Sequence, residues 1–88
     1  MIRWTEYMLF RMKLRAFDPD LVEEVVRFSG ERYFDEVTTR RIAVGRHGQQ
    51  LILVPYEQDG DQIVPVTVHV TSREQINTRI RSGRLRHG

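Results

Sequence analysis

Leu51-Ile52-Leu53-Val54, inside the stretch Gln50 to Tyr56, is apolar at odd and even positions alike. An extended chain turns successive side chains to opposite faces, so a run without alternation predicts a central strand covered on both sides. Upstream, His47-Gly48 marks a turn, and Arg41 to Arg46 reads as a neighbouring strand rich in branched residues. Arg32-Tyr33-Phe34 is a further short strand. Downstream, Asp59-Gly60 turns the chain into a hairpin, followed by Ile63 to Thr71. There Val64, Val66, Val68 and Val70 alternate with Pro65, Thr67, His69 and Thr71, which predicts one core face and one polar face, with His69 pointing away from the core.

Helical signals flank this sheet. Thr5 can cap a helix running to about Arg15, with Phe10, Leu14 and Phe17 as its core stripe at i, i+4 and i+7. Asp18 followed by Pro19 reads as an N-cap with proline in the first position, and Leu21, Val22, Val25, Val26 and Phe28 form an apolar face that ends at Gly30. Thr71-Ser72-Arg73-Glu74 fits a capping box before Ile76 and Ile80, with Gly83 as the stop. With a short apolar start at Ile2 and Trp4, the expected order is β-α-α-β-β-β-β-α. The expected fold is α+β, a single domain over residues 1–88. Its two N-terminal helices pack on one face of a mostly antiparallel four-stranded sheet, with a C-terminal helix after it. The other sheet face would then be open and carry Thr67 and His69.

Composition narrows the function classes. The 88 residues contain no cysteine, so neither disulfides nor a thiolate zinc site is available. Met1-Ile2-Arg3-Trp4-Thr5-Glu6 lacks a basic start followed by an apolar run, and no stretch approaches the roughly 20 apolar residues of a membrane span. A cytoplasmic location and no membrane partner are the expectations. The formal charge is only +2, but it is segregated. Residues 1–17 hold Arg3, Arg11, Lys13 and Arg15 against Glu6, and residues 71–88 hold Arg73, Arg79, Arg81, Arg84 and Arg86 against Glu74. Between them, seven carboxylates in residues 18–36 face only Arg27 and Arg32. Lys13 is the sole lysine. Arginine's planar fork grips phosphate at two points, so this bias suits a phosphate ligand, although codon bias plus a solvated surface produces the same composition.

Four groups could carry chemistry. Tyr7, Arg11 and Arg15 recur every four residues and form one ridge of the first helix; two like charges at that spacing repel unless an anion or a carboxylate of the second helix lies between them. His69 is the side chain best suited to proton transfer near neutral pH, and Arg73 opens the adjacent helix, whose N-terminal N–H groups favour an anion. A structural hydrogen bond is the simpler role for a lone histidine. The tail, with Arg79 and Arg84 among its cations, has only Glu74 nearby in sequence and reads either as an RNA-binding strip or as a frayed, solvated end. Arg46, at a hairpin tip, could touch a phosphate or merely face water.

No P-loop, no Gly-x-Gly-x-x-Gly, no Gly-x-Ser-x-Gly and no metal-ligand spacing of His, Asp and Glu is present, so no cofactor or metal is expected. Metal-free RNA cleavage stays open because the substrate supplies its own nucleophile, the 2′-hydroxyl.

Thr5-Glu6-Tyr7-Met8-Leu9-Phe10-Arg11-Met12-Lys13-Leu14-Arg15-Ala16-Phe17 resembles the first-helix motif of the small DUF4258 proteins, usually Thr-x-His-Ala-x-x-Arg-Met-x-x-Arg-Gly-Ile. Asp18 to Val26, Arg41-Ile42-Ala43-Val44-Gly45, Leu51 to Glu57 and Val66 to Gln75 look like the corresponding pieces of that class and of BrnT-like toxins. The resemblance implies a RelE-like fold and a type II toxin. Such a toxin would be a metal-independent RNA endonuclease acting on mRNA, either free or ribosome-bound, and neutralised by a cognate antitoxin protein. With that function, His69, Arg73 and Tyr7 are the candidate catalytic residues, and Arg11, Arg15, Arg46, Arg79 and Arg84 the candidate RNA contacts. Tyr7 stands where many DUF4258 members have histidine, and Ala16 where they have glycine. The alternative expectation is a non-catalytic RNA- or protein-binding module of the same class.

Overall fold

The computed structural model describes all residues from Met1 to Gly88. Helices α1 (Glu6–Leu14) and α2 (Pro19–Phe28) precede strands β1 (Glu31–Asp35), β2 (Arg40–His47), β3 (Gln50–Asp59), β4 (Gln62–Pro65) and β5 (His69–Thr71). Helix α3 (Arg73–Arg81) and strand β6 (Leu85–His87) complete the chain. The protein is α+β, but with six strands where four were expected. The sheet runs β4-β3-β2-β1-β6, with β5 also paired to β3, and every strand pair is antiparallel. The apolar start forms no strand; it contributes a single parallel bridge, Ile2 to Ile63, along the edge of β4.

As its lack of alternation predicts, β3 is covered on both faces. Ile52, Val54 and Tyr56 pack beneath α1 and α2 with Met8, Met12, Val22, Val25, Val26, Ala43 and Val68. Leu51 and Leu53 face the other way, joining Ile42, Val44, Tyr33, Leu85 and the fully buried Ile76 of α3. The second face is therefore not open throughout, as the sequence suggested. Helix α3 covers one part and leaves a cleft over the rest.

Two expected stripes fail for local reasons. Phe10 and Leu14 are 62% and 64% exposed, and Met8 and Met12 face the core instead. Helix α1 is apolar on more than one side, and Phe17 lies beyond its end, where the helical period no longer holds. Ala16 takes a left-handed φ of 59°, and the Phe17 N–H donates back to the Met12 carbonyl while the Ala16 N–H donates to that of Lys13. This is a Schellman closure, and it folds Phe17 onto Met12. Alanine is strained at this φ, so Ala16→Gly is expected to raise stability by about 1 kcal/mol, read from the urea midpoint. No gain would show that the turn is already relaxed.

The second failure is the single strand expected from Ile63 to Thr71. Tyr56 pairs with Pro65, but Leu53 pairs with His69, so two residues of β3 oppose three residues, Val66 to Val68. The extra residue is a β-bulge, and it reverses the side-chain parity. Pro55, which has no N–H to donate, accepts the Val66 N–H there. Val70 consequently emerges half exposed, whereas Val64 and Val68 are buried on opposite faces.

The tail is not frayed either. Leu85 is buried, and β6 pairs with β1 at the sheet edge. Two of its arginines find carboxylates that lie close in space although far in sequence: Arg84 holds Asp35 and Arg86 holds Glu36.

Candidate anion cleft

His69 stands at the start of β5, just past the bulge, with a cleft on either side of it. One, of about 460 Å³, lies on the α3 face and includes Arg40, Leu53, Thr67, His69, Arg79 and Arg84 in its lining. The other, of about 420 Å³, lies towards α1 and includes Arg11, Arg15, Gln50 and His69. Parity explains this position. Because the bulge shifts the register, His69 shares the face of Leu53 while remaining at the exposed edge, within reach of helices on both sides of the sheet.

The Arg11 Nε donates to the Val68 carbonyl at 3.3 Å, and its Nη2 lies 3.3 Å from His69 Nδ1. A guanidinium has no acceptor, so the contact requires a lone pair on Nδ1 and places the neutral ring's hydrogen on Nε2. Partial burial holds the His69 pKa below 6.5, with the positive charges of Arg11, Arg79 and Arg15 adding to the effect. At pH 7 the ring is neutral and retains a basic nitrogen.

Arginines without a carboxylate partner occur at several places on the surface, and three of them lie near His69. Four arginines form ion pairs: Arg27 with Glu23, Arg73 with Glu31, Arg84 with Asp35 and Arg86 with Glu36. Arg11, Arg15 and Arg79 have no carboxylate within 4.0 Å, so the acidic side chains of α2 do not neutralise the ridge of α1. Three unneutralised guanidinium groups near one neutral imidazole give a surface chemically suited to an anion.

The sequence-derived candidates divide accordingly. His69 shares the cleft towards α1 with Arg11 and Arg15, and the cleft on the α3 face with Arg79. Arg84 lines the α3-side cleft, but its Nε and Nη2 are engaged with Asp35 at 3.1 to 3.3 Å. Arg73 does not meet His69 over a shared anion; it grips both oxygens of Glu31, at 2.5 and 2.7 Å, and Glu31 also accepts the Tyr33 hydroxyl. The Glu31 pKa is lowered, chiefly by Arg73. The helix start that was expected to present Arg73 is capped one residue later than the Thr71 box implies, by Ser72, which accepts from the Gln75 N–H. Tyr7 is exposed and lines neither cleft. Arg46 lies on the α2 side of the molecule, its Nη1 donating to the Gln49 carbonyl.

Two residues went unread in the sequence. Asp35, 4% exposed, accepts from Arg84 and from the backbone N–H groups of Val37 and Thr38. Burial would raise its pKa, but those donors outweigh burial and leave it below 3.8. An aspartate heading Glu36-Val37-Thr38-Thr39 is a recognisable side-chain turn, so the signal was available. Arg40 carries a buried Nε without a hydrogen-bond partner, which only three-dimensional packing reveals.

No group of three or more His, Asp or Glu side chains is placed to hold a metal ion, and no helix is long and apolar enough to cross a membrane. Compared with protein-family models, with curated proteins and with solved structures, the chain matches none.

Proposed function

We propose that this protein binds the phosphate backbone of RNA at His69 and cleaves it without a metal, as a RelE/BrnT-like toxin of a type II toxin-antitoxin system. The observation that carries the reading is the set of carboxylate-free guanidinium groups around a neutral imidazole. On substrate binding, the Arg11 N–H donates to a phosphate oxygen instead of to Nδ1, and the freed Nδ1 takes the 2′-hydroxyl proton. The 2′-oxygen attacks phosphorus, the bond to the 5′-oxygen breaks, and that oxygen takes a proton from water; the imidazolium gives its proton to the hydroxide so formed, which returns the ring to its neutral state. A 2′,3′-cyclic phosphate and a 5′-hydroxyl result. Arg79 and Arg15 offset the charge that builds on the phosphate. Arg73 and Tyr7 have no part in this version, because neither lines a cleft with His69.

The test is a single-stranded RNA incubated with purified protein and excess EDTA, beside the same strand carrying 2′-deoxy sugars. Cleavage of the first alone, leaving cyclic phosphate ends, is expected. Cleavage of both strands, or only when metal is added, would refute the mechanism.

One observation favours the second reading, a non-catalytic module that binds a protein or RNA. Tyr7, Phe10 and Leu14 form an exposed apolar stripe on α1, beside Arg11 and Arg15. An amphipathic acidic segment would fit that combination, as a folding-on-binding antitoxin does in the first reading. Tight RNA binding that weakens steeply with salt, while the RNA stays intact at every salt concentration, would select the binding module.

A further inference from the structure

Helix α1 buries Met8 and Met12, and the side turned away from them carries Tyr7, Phe10 and Leu14, which are 57%, 62% and 64% exposed. At the α-helical repeat these three fall at i, i+3 and i+7, one continuous stripe along the outer face. Glu6 and Lys13 are also seven residues apart in sequence, so they share one flank of that stripe, separated by roughly 10 Å of helix. Both are exposed, and neither enters an ion pair within the chain. A flank that is acidic at its start and basic at its end complements itself when a second helix runs the other way. A parallel copy would set like charge against like at both ends, and an acidic segment would meet Glu6 with its own sign. Arg11, on the opposite flank, is turned towards the Val68 carbonyl and His69, clear of the stripe.

We infer that this stripe is a self-association surface, on which a second copy of the chain lays its own α1 antiparallel about a two-fold axis near Phe10. Phe10 then meets Phe10 of the partner subunit, Tyr7 packs on Leu14 of the partner subunit, and Glu6 pairs with Lys13 of the partner subunit. The symmetry repeats the last two contacts, and the opposed helix dipoles favour the same orientation. Three half-exposed side chains of this size cover on the order of 400 Å² per copy. That is short of the roughly 800 Å² per partner of a stable interface, so the dimer is a weak one, with a Kd of about 100 µM. The inference holds whether or not the protein binds or cuts RNA.

Sedimentation velocity on the full chain, at low salt and from about 10 µM to about 1 mM, brackets that constant. The wild type is expected to pass from monomer to dimer across the range. Phe10→Ser should weaken association about tenfold or more, since the two copies of this side chain meet at the centre. Glu6→Lys and Lys13→Glu, taken singly, should do the same, because by symmetry each turns both ion pairs into like-charge contacts, at a cost of about tenfold. The double variant Glu6→Lys with Lys13→Glu should recover most of the wild-type association, and the two single variants mixed should form a heterodimer that neither matches alone. All three positions are exposed, so circular dichroism should report an unchanged fold in every variant. A wild type that stays monomeric at about 1 mM would overturn the inference and leave the stripe to an acidic partner. A dimer indifferent to Phe10→Ser would overturn it too, as would single charge reversals that neither the mixture nor the double variant rescues.

Discussion

His69→Ala is expected to lower RNA cleavage by about 10²-fold or more, the range associated with loss of a proton-transfer group. Its side chain is exposed and supports no core, so the melting temperature should hardly move. Under the proposed toxin function, expression of the wild type alone should arrest growth and expression of the variant should not. Arg11→Gln should act differently. It removes the donor on Nδ1 and one of the charges that hold the ring neutral, so it should weaken RNA binding and raise the His69 pKa together. Single-turnover kinetics over a pH series separates the two effects. Undiminished cleavage by His69→Ala removes the imidazole from the chemistry and leaves the binding module as the better account.

Asp35→Ala should be the most destabilising change near the cleft, costing about 3 kcal/mol, or roughly 15 °C in melting temperature for a chain of this size. The carboxylate is buried with Arg84, and its loss strands that guanidinium together with the N–H groups of Val37 and Thr38. Arg84 is one-third exposed and can recruit water, which keeps the cost at the lower end of the range for broken buried pairs. Asp35→Asn retains an acceptor without the charge and should lose about half as much. The pH dependence follows from the lowered pKa. This contribution is fully present above the unfolded value near 3.8 and is lost as pH falls through the lower folded value. Between pH 7 and pH 3 the wild type should therefore lose stability more steeply than Asp35→Ala. Parallel acid profiles for the two proteins would show that Asp35 contributes no such linkage.

The sequence was most readable where local pattern and global packing agree. Leu51 to Val54 has no polar parity, so burial on both sides was the one arrangement that avoids exposing an apolar face, and β3 is central. Asp18-Pro19 fixes the start of α2, and Asp18 accepts from the Asp20 N–H as expected of a cap. Pattern failed where a single residue changes parity. The Val66 to Val68 bulge and the left-handed Ala16 each invalidate an otherwise regular stripe, and neither periodicity nor propensity signals them strongly. The site was half legible for a related reason. Arg11, in the last turn of α1, and Arg15, its C-cap, are one turn apart, so their proximity follows from sequence. Arg73 was misplaced because its partner, Glu31, is 42 residues away and only the sheet brings them together.

The proposed function requires RNA phosphate to meet His69 beside Arg11, Arg15 and Arg79, and the ring's own titration reports this most directly. The His69 Hε1 resonance should be followed by NMR from pH 4.5 to 8, first alone and then with a saturating non-cleavable RNA carrying 2′-deoxy sugars. The free protein should titrate below 6.5. The bound phosphate offsets the arginine charges that depress the pKa, so the midpoint should rise on binding, and affinity should increase as pH falls through that interval. A midpoint at or above 6.5 in the free protein, unmoved when the RNA is bound, would contradict the central claim.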